Sequence, residues 1–215
     1  KILVITNIDA DHLDYYKDLD DIKSAFAEIS SKSEKVITEN EYQKMPTDFK
    51  LCVPGVHNIK NAQAALAVAE LLGISPSTSL RALNKFRGTW RRFEYKGGFN
   101  GAIIYEDYAH HPTEIRATIQ GARELYSDKR LVIFFQPHLY SRTKQLLGDF
   151  SQALALADLV IVAPIYAARE APDPSINHQI LTGEINKLKS VARAVNDFNE
   201  AEKLLRSELK EGDLL

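Results

Sequence analysis

The sequence predicts an α/β protein in two parts: the tail of one α/β domain up to Gly88, then a Rossmann-like α/β domain with a mostly parallel sheet over 89–215. Three observations carry that expectation. From Arg92 onward, short apolar runs such as "RLVIFF" and "LVIVAP" alternate with helix-length amphipathic stretches, the pattern of parallel strands joined by crossover helices. Before Gly88 the pattern differs, with one strand, a long alanine-rich helix and few further strand candidates. The chain has 215 residues, 45% of them hydrophobic, which is enough for one large domain or two small ones with real cores.

Residues 2–8, "ILVITNI", are apolar and β-branched enough for a buried strand. "DLDDIKSAFAEI" then places Ile22, Phe26 and Ile29 on one helical stripe. "KVIT" and "FKLCV" are short strand candidates, the second closed by the turn signal Pro54-Gly55. "NIKNAQAALAVAELLG" is a helix with Ala65, Val68, Ala69 and Leu72 along one face and Gly73 as its terminator. "SPSTSLRALNKF" is another, with a Ser-Pro start.

Beyond Gly88, "RFEYK" and "AIIYED" flank the glycine-rich "GGFNG" and read as a hairpin. "TEIRATIQGAREL", "RTKQLLGDFSQALALA", "HQILTGEINKL" and "DFNEAEKLLRSELK" follow as helices between the strands "RLVIFF", "LVIVAP" and "SVARAV". The closing "EGDLL" reads as a strand cut short after a Gly-Asp turn, and both ends have the character of interior sequence, so a fragment is expected.

A net charge of −2 with scattered basic residues argues against a nucleic-acid or membrane-surface binder. Asp158 interrupts "ALALADLVIVA", so no run reaches the roughly 20 apolar residues that a membrane helix needs. One cysteine, Cys52, excludes an internal disulfide, suits a cytoplasmic protein and is expected in the core.

In open parallel sheets, ligands gather where strands end and helices begin, because helix N-terminal amides attract anions there. The polar clusters lie at those places. Asp9, Asp11, His12 and Asp14 offer hard oxygens and one imidazole, a set compatible with Mg²⁺ or Mn²⁺. Asn58 and Asn61, three apart, share a helix face near its start and could read a purine edge or serve as ordinary caps. Arg91 and Arg92 could clamp a phosphate or join an interdomain ion pair.

In "EDYAHHP", alternation along a strand makes a paired metal role for His110 and His111 poor. Either histidine can face the crevice while the other supports the turn, and Pro112 is expected in the first helical turn with Glu114 near the positive helix end. Asp107 lies where a carboxylate could accept from a ribose hydroxyl. In "QPHLYSRT", Arg142 near a helix start points to an anion there.

Taken in order, "TNIDADHLD", "VPGVHNIKNAQAALA", "GTWRRFE", "DYAHHPTEI", "FQPHLYSRT" and "IYAAREAP" resemble the Mur ligase family, the ATP-dependent amino-acid ligases of peptidoglycan precursor synthesis. The likeness is nearest to its alanine-adding branch. It implies that residues 1–88 are the C-terminal part of a P-loop-type central domain and that 89–215 are an amino-acid-binding domain truncated at its end. It implies ATP and Mg²⁺ as cofactors, with L-alanine and UDP-N-acetylmuramate as substrates joined through an acyl phosphate. His12 is then a Mg²⁺ ligand, Asn58 and Asn61 meet the adenine, Asp107 the ribose and Arg92 the transferred phosphate. Tyr108, His110, His138 and Arg142 would line the alanine pocket, Arg142 pairing the carboxylate.

Three departures accompany the likeness. No G-x-x-G-K-[ST] phosphate loop, uridine-nucleotide domain or acidic metal ligand upstream of His12 is present in these residues, so the chain alone is expected not to turn over ATP. The stretch between Phe26 and "VPGVHN" is short for the family, and Leu139 stands where many alanine-adding members carry arginine. The alternatives are a ligase that attaches a recycled tripeptide, a folate polyglutamylation enzyme, a non-catalytic nucleotide- or amino-acid-sensing module, and a metallohydrolase using "DADHLD".

Overall fold

The apolar runs beyond Gly88 assemble into a six-stranded sheet. A computed structural model of the protein describes residues 1–13 and 15–215, in two units, Lys1–Gly88 and Thr89–Leu215. In the second unit the strands are β3 (Glu94–Phe99), β4 (Ala102–Glu106), β5 (Arg130–Phe135), β6 (Leu159–Val162), β7 (Ala192–Ala194) and β8 (Asp213–Leu214), in the order β3-β4-β8-β5-β6-β7. β3 is antiparallel to β4, and the other pairs are parallel. The mostly parallel α/β sheet expected from the alternation is therefore what forms.

The hairpin turns at Asn100-Gly101, both with positive φ (51° and 78°), the geometry whose twist matches the flanking strands. Its tip is one step later than the glycine cluster suggested, because Gly97 and Gly98 lie inside β3, at a register shift between Tyr95 and Gly97. A Cβ at Gly101 would come within 2.9 Å of Glu211, so glycine also permits close approach of the chain before β8.

The strands are joined by α4 (Pro112–Leu125), α5 (Tyr140–Gln145), α6 (Leu147–Leu154), α7 (His178–Leu188) and α8 (Phe198–Glu208). The expected single helix over "RTKQLLGDFSQALALA" is two, breaking at Leu146. Period-two alternation sorts the strand side chains between two cores. Leu131, Phe135, Val160, Val162 and Leu214 pack with Ile115 and Ile119 of α4, Phe150 of α6, and Leu181 and Ile185 of α7. Val132, Leu159 and Ile161 pack on the other face with Ala201 of α8 and Leu209.

The last strand fills the centre of the sheet. β8 pairs with β4 on one side and β5 on the other. Leu215 extends the ladder: the Tyr105 N–H donates to its carbonyl at 2.7 Å, and its own N–H donates to the Ile103 carbonyl at 2.9 Å. β8 and Leu215 thus join the hairpin to the rest of the sheet.

In the first unit, β1 (Ile2–Val4) pairs in parallel with β2 (Lys35–Ile37), across α1 (Leu19–Ser31). β1 stops at Val4 rather than running to Ile8. α2 (Val56–Leu71) and α3 (Pro76–Leu83) follow, with Gly73 (φ 76°) just past the end of α2, and with Ser75 capping α3 through the Thr78 N–H and Pro76 in its first turn.

Four expectations here are corrected. "FKLCV" forms no strand, and Cys52 is exposed rather than in a core, its thiol donating to the Asn84 carbonyl. Among the described residues no strand takes up the backbone of that segment, so its apolar residues have no sheet face to bury. On α2 the buried residues are Ala62, Ala64 and Leu66, whereas Ala65 and Leu72 are exposed. That helix is apolar around most of its circumference, so its sequence does not select one face. On α1 only Ile22 of the expected stripe is buried, and Ile29 is 50% exposed.

Candidate functional site

The carboxyl ends of β4, β5 and β6 lie at one edge of the sheet, with β8 between β4 and β5, and carry the polar loops 107–111, 136–139 and 163–177. Four rings gather there. Tyr108 meets His110 edge-on with centroids 5.0 Å apart, His110 lies 6.3 Å from His138, and His138 lies 5.6 Å from Tyr166. Arg142, buried in the first turn of α5, reaches the His138 Nδ1 at 3.3 Å. The structure thus brings Tyr108, His110, His138 and Arg142 to one place.

The backbone explains why the 136–139 loop holds its shape. Leu139 is buried with φ at 69°, a conformation that a branched-chain residue keeps only when its surroundings fix it. Its N–H donates to the Tyr166 carbonyl, and its own carbonyl accepts from the Thr143 hydroxyl at 2.7 Å. The Tyr166 N–H in turn donates to the Pro137 carbonyl. Loops 136–139 and 163–177 are therefore clasped, and His138 is set opposite Tyr166.

Burial pulls the His138 pKa down, helped by the Arg142 guanidinium and by His110, so this imidazole is held neutral at physiological pH. A neutral ring beside a buried guanidinium suits a ligand that carries both a carboxylate and an amine.

The start of α5 also holds an acidic side chain from the loop after β6. Glu170 accepts from the Ser141 N–H and from the Ser141 hydroxyl. Glu170 and Tyr166 are the site residues that sequence reading did not single out. The signal was present in "IYAAREAP" after β6, but nothing local says that its carboxylate crosses to α5.

On the β4 side, Asp107 uses both oxygens structurally. Oδ2 accepts from the Phe93 N–H at 2.8 Å and Oδ1 from the Ala109 N–H at 2.7 Å. Arg91 is tied down by Glu106 at 2.8 Å, while its N–H donates to Glu94. Arg92 is looser, exposed and 3.5 Å from Glu114. Both guanidiniums lie over the Tyr108 ring, at 4.9 Å and 5.4 Å. His111 is buried and caps α4 through the Thr113 N–H, with Pro112 in the first turn, so it is the histidine that supports the turn.

The first unit carries the remaining candidates. The Asn58 amide donates to the Pro54 carbonyl at 2.6 Å and so closes the start of α2, while Asn61 is exposed three residues on. His12 is exposed with φ at 54°, its Nε2 3.7 Å from Asp11. Asp9 and Asp11 accept from the next residues' N–H groups, and Asp14 lies outside the described residues. Among the described residues no group of three or more His, Cys, Asp or Glu could hold a metal. His12 can supply one ligand to a Mg²⁺ held mainly by phosphates and water, but the described residues make no cage of their own. No described helix is long and apolar enough to cross a membrane.

Comparison with known proteins places these features in context. Residues 91–215 match the "Mur ligase, glutamate ligase domain", and residues 1–46 match the "Mur ligase middle domain". The UDP-N-acetylmuramate--L-alanine ligase of Agathobacter rectalis is 38% identical over an aligned span of 260 residues, covering 99% of this chain and 56% of that protein. The chain thus spans a little over half the length of such relatives. The span exceeds the chain's own 215 residues, so the relative carries residues within it that this chain lacks, a difference of the kind the short stretch after Phe26 suggests.

Among solved structures, the Thermotoga maritima UDP-N-acetylmuramate-alanine ligase superposes with a TM-score of 0.78 at 29% identity, over 99% of this chain and 54% of that one. A murein peptide ligase from Psychrobacter arcticus gives 0.63 at 20% identity, over 99% and 53%, a likeness of fold alone.

Proposed function

The chain belongs to the Mur ligase family, and from that premise we propose that it supplies the amino-acid subsite and part of the nucleotide subsite of an ATP-dependent ligase. That ligase joins L-alanine to UDP-N-acetylmuramate in peptidoglycan biosynthesis, in the cytoplasm. ATP phosphorylates the carboxylate of the nucleotide sugar, the alanine amine attacks the acyl phosphate, and phosphate leaves from the tetrahedral intermediate. Such chemistry asks the protein mainly to position groups and balance charge.

The observation that carries the reading is the convergence of His110, His138, Arg142 and Tyr166 where three parallel strands end. Arg142 pairs the alanine carboxylate, and His110 and the neutral His138 receive the amine. Tyr108 closes the other side. Arg92, exposed on the β4 side, takes the transferred phosphate, and Asp107 orders the loop that meets the ribose. Asn58 and Asn61 meet the adenine. Mg²⁺, with His12 among its ligands, neutralises phosphate charge when bound.

Titration calorimetry of the 215-residue chain with L-alanine tests the reading. L-alanine binding that weakens about tenfold or more in Arg142→Met supports it. Preference for a muramyl tripeptide over L-alanine would instead favour the recycling ligase. Phosphate release from ATP with both other substrates present would overturn the expectation that this chain alone is inactive.

A further inference from the structure

Glu114, at the third position of α4, touches both sides of the site. Its Oε2 accepts from the His110 N–H at 3.0 Å and lies 3.4 Å from the His110 Nδ1. Its Oε1 lies 3.5 Å from Arg92 Nη1. The same His110 Nδ1 is 2.9 Å from the Tyr108 carbonyl oxygen. Two acceptors therefore converge on Nδ1. A lone pair there would face oxygen lone pairs, so in the neutral ring Nδ1 carries the hydrogen and Nε2 is the acceptor.

We propose that Glu114 is a positioning residue that couples the two subsites: one carboxylate, with the Tyr108 carbonyl, favours the Nδ1–H form of His110, and it also restrains Arg92. An anion bound at Arg92 competes with Glu114 for the guanidinium. The freed carboxylate then turns fully to the His110 ring, and an amine meets a ring whose acceptor nitrogen is already set. The coupling is reciprocal, because an amine at His110 also favours the arrangement in which Arg92 is released. The proposal rests on the amino-acid reading of the site, but the carboxylate's double engagement does not depend on that reading. The plainer role, a cap for the first turn of α4, needs only the contact to the His110 N–H.

Glu114→Gln separates the two roles, since its carbonyl oxygen still accepts from that N–H while the charge is gone. The test uses the full chain with isotope-labelled histidine, each ring assigned by loss of its signal in a variant such as His110→Gln. At a pH where the rings are neutral, nitrogen–proton correlation shows His110 as the Nδ1–H tautomer in the unchanged chain and with a smaller Nδ1–H share in Glu114→Ala, where the Tyr108 carbonyl alone remains. Inorganic pyrophosphate shifts the His110 ring signals in the unchanged chain and tightens L-alanine binding about fivefold or more. In Glu114→Gln both effects vanish while the melting midpoint holds.

An Nε2–H tautomer in the unchanged chain, no response to pyrophosphate, or an undiminished response in Glu114→Gln would overturn the proposal. If the tautomer and the pyrophosphate response follow Glu114 but L-alanine moves no histidine signal, the amino-acid reading falls and the positioning role stands.

Discussion

Replacing Asp107 by alanine removes the acceptor for two backbone donors at once. The Phe93 N–H reaches its Oδ2 at 2.8 Å and the Ala109 N–H its Oδ1 at 2.7 Å. Phe93 sits at φ 47° and stacks on Tyr105 with centroids 4.3 Å apart, so its position depends on that bond as well as on the ring contact. Each half-buried donor left without an acceptor costs about 1–2 kcal/mol, so Asp107→Ala lowers the local stability of this corner by about 2–4 kcal/mol. At 1.4 kcal/mol per factor of ten, exchange of the Phe93 and Ala109 amides through local opening quickens by about 30- to 700-fold.

Hydrogen exchange read residue by residue, alongside urea unfolding followed by circular dichroism, measures both. If both amides keep their original exchange rates in Asp107→Ala and the midpoint does not move, the carboxylate does not hold the corner and the reasoning fails. Weakened nucleotide binding in this variant would therefore not by itself place a ribose at Asp107. Asp107→Asn, which keeps one acceptor, is the comparison that separates the two.

Leu214→Ala opens the middle of the sheet, since Leu214 is 3% exposed between β4 and β5; a loss of about 2–5 kcal/mol in urea unfolding is expected, and a loss under about 1 kcal/mol would contradict its central place. Glu170→Ala frees the Ser141 N–H and hydroxyl, costing about 0.5–2 kcal/mol as a lost cap does; thermal melting and the Ser141 amide shift report it, and an unmoved shift would count against the clasp. Burial lowers the pKa of both His138 and His178. The unfolded chain then binds protons more readily, so their contribution to stability is complete above the ordinary histidine pKa and declines as pH falls through it. Unfolding midpoints measured from neutral to mildly acidic pH should fall, less steeply in His178→Gln, and an equal slope would exclude His178 as a source.

Much of the candidate site could be read from the sequence because strand exits carry their polar residues in contiguous stretches. "EDYAHHP" and "QPHLYSRT" each place residues at the ends of β4 and β5, and Tyr108, His110, His138 and Arg142 do meet. Hidden were the contacts between stretches: Glu170 reaching α5, Glu114 touching both Arg92 and His110, and the engagement of both Asp107 oxygens by backbone. Arg142 shows the difference well. Its type and position pointed to an anion near a helix start, but only the folded loop shows that it sits against His138 and that Glu170 caps Ser141 beside it.

By itself the sequence determined what lies within reach of a few residues. Asn100-Gly101 turns the hairpin, Ser75-Pro76 starts α3, Gly73 lies just past the end of α2, and the alternation of apolar runs with helices dictates parallel strands. These follow from backbone sterics, capping and periodicity, which are local. The tertiary structure decided the order of the strands, with β8 drawn into the centre by backbone pairing on both edges. It also decided that Cys52 is exposed and that α2 buries Ala62 and Leu66 rather than Ala65 and Leu72. Which edge a strand joins and which face an all-round apolar helix buries depend on partners distant in the chain. Local propensity leaves those choices nearly equal in energy, and nonlocal pairing and burial settle them.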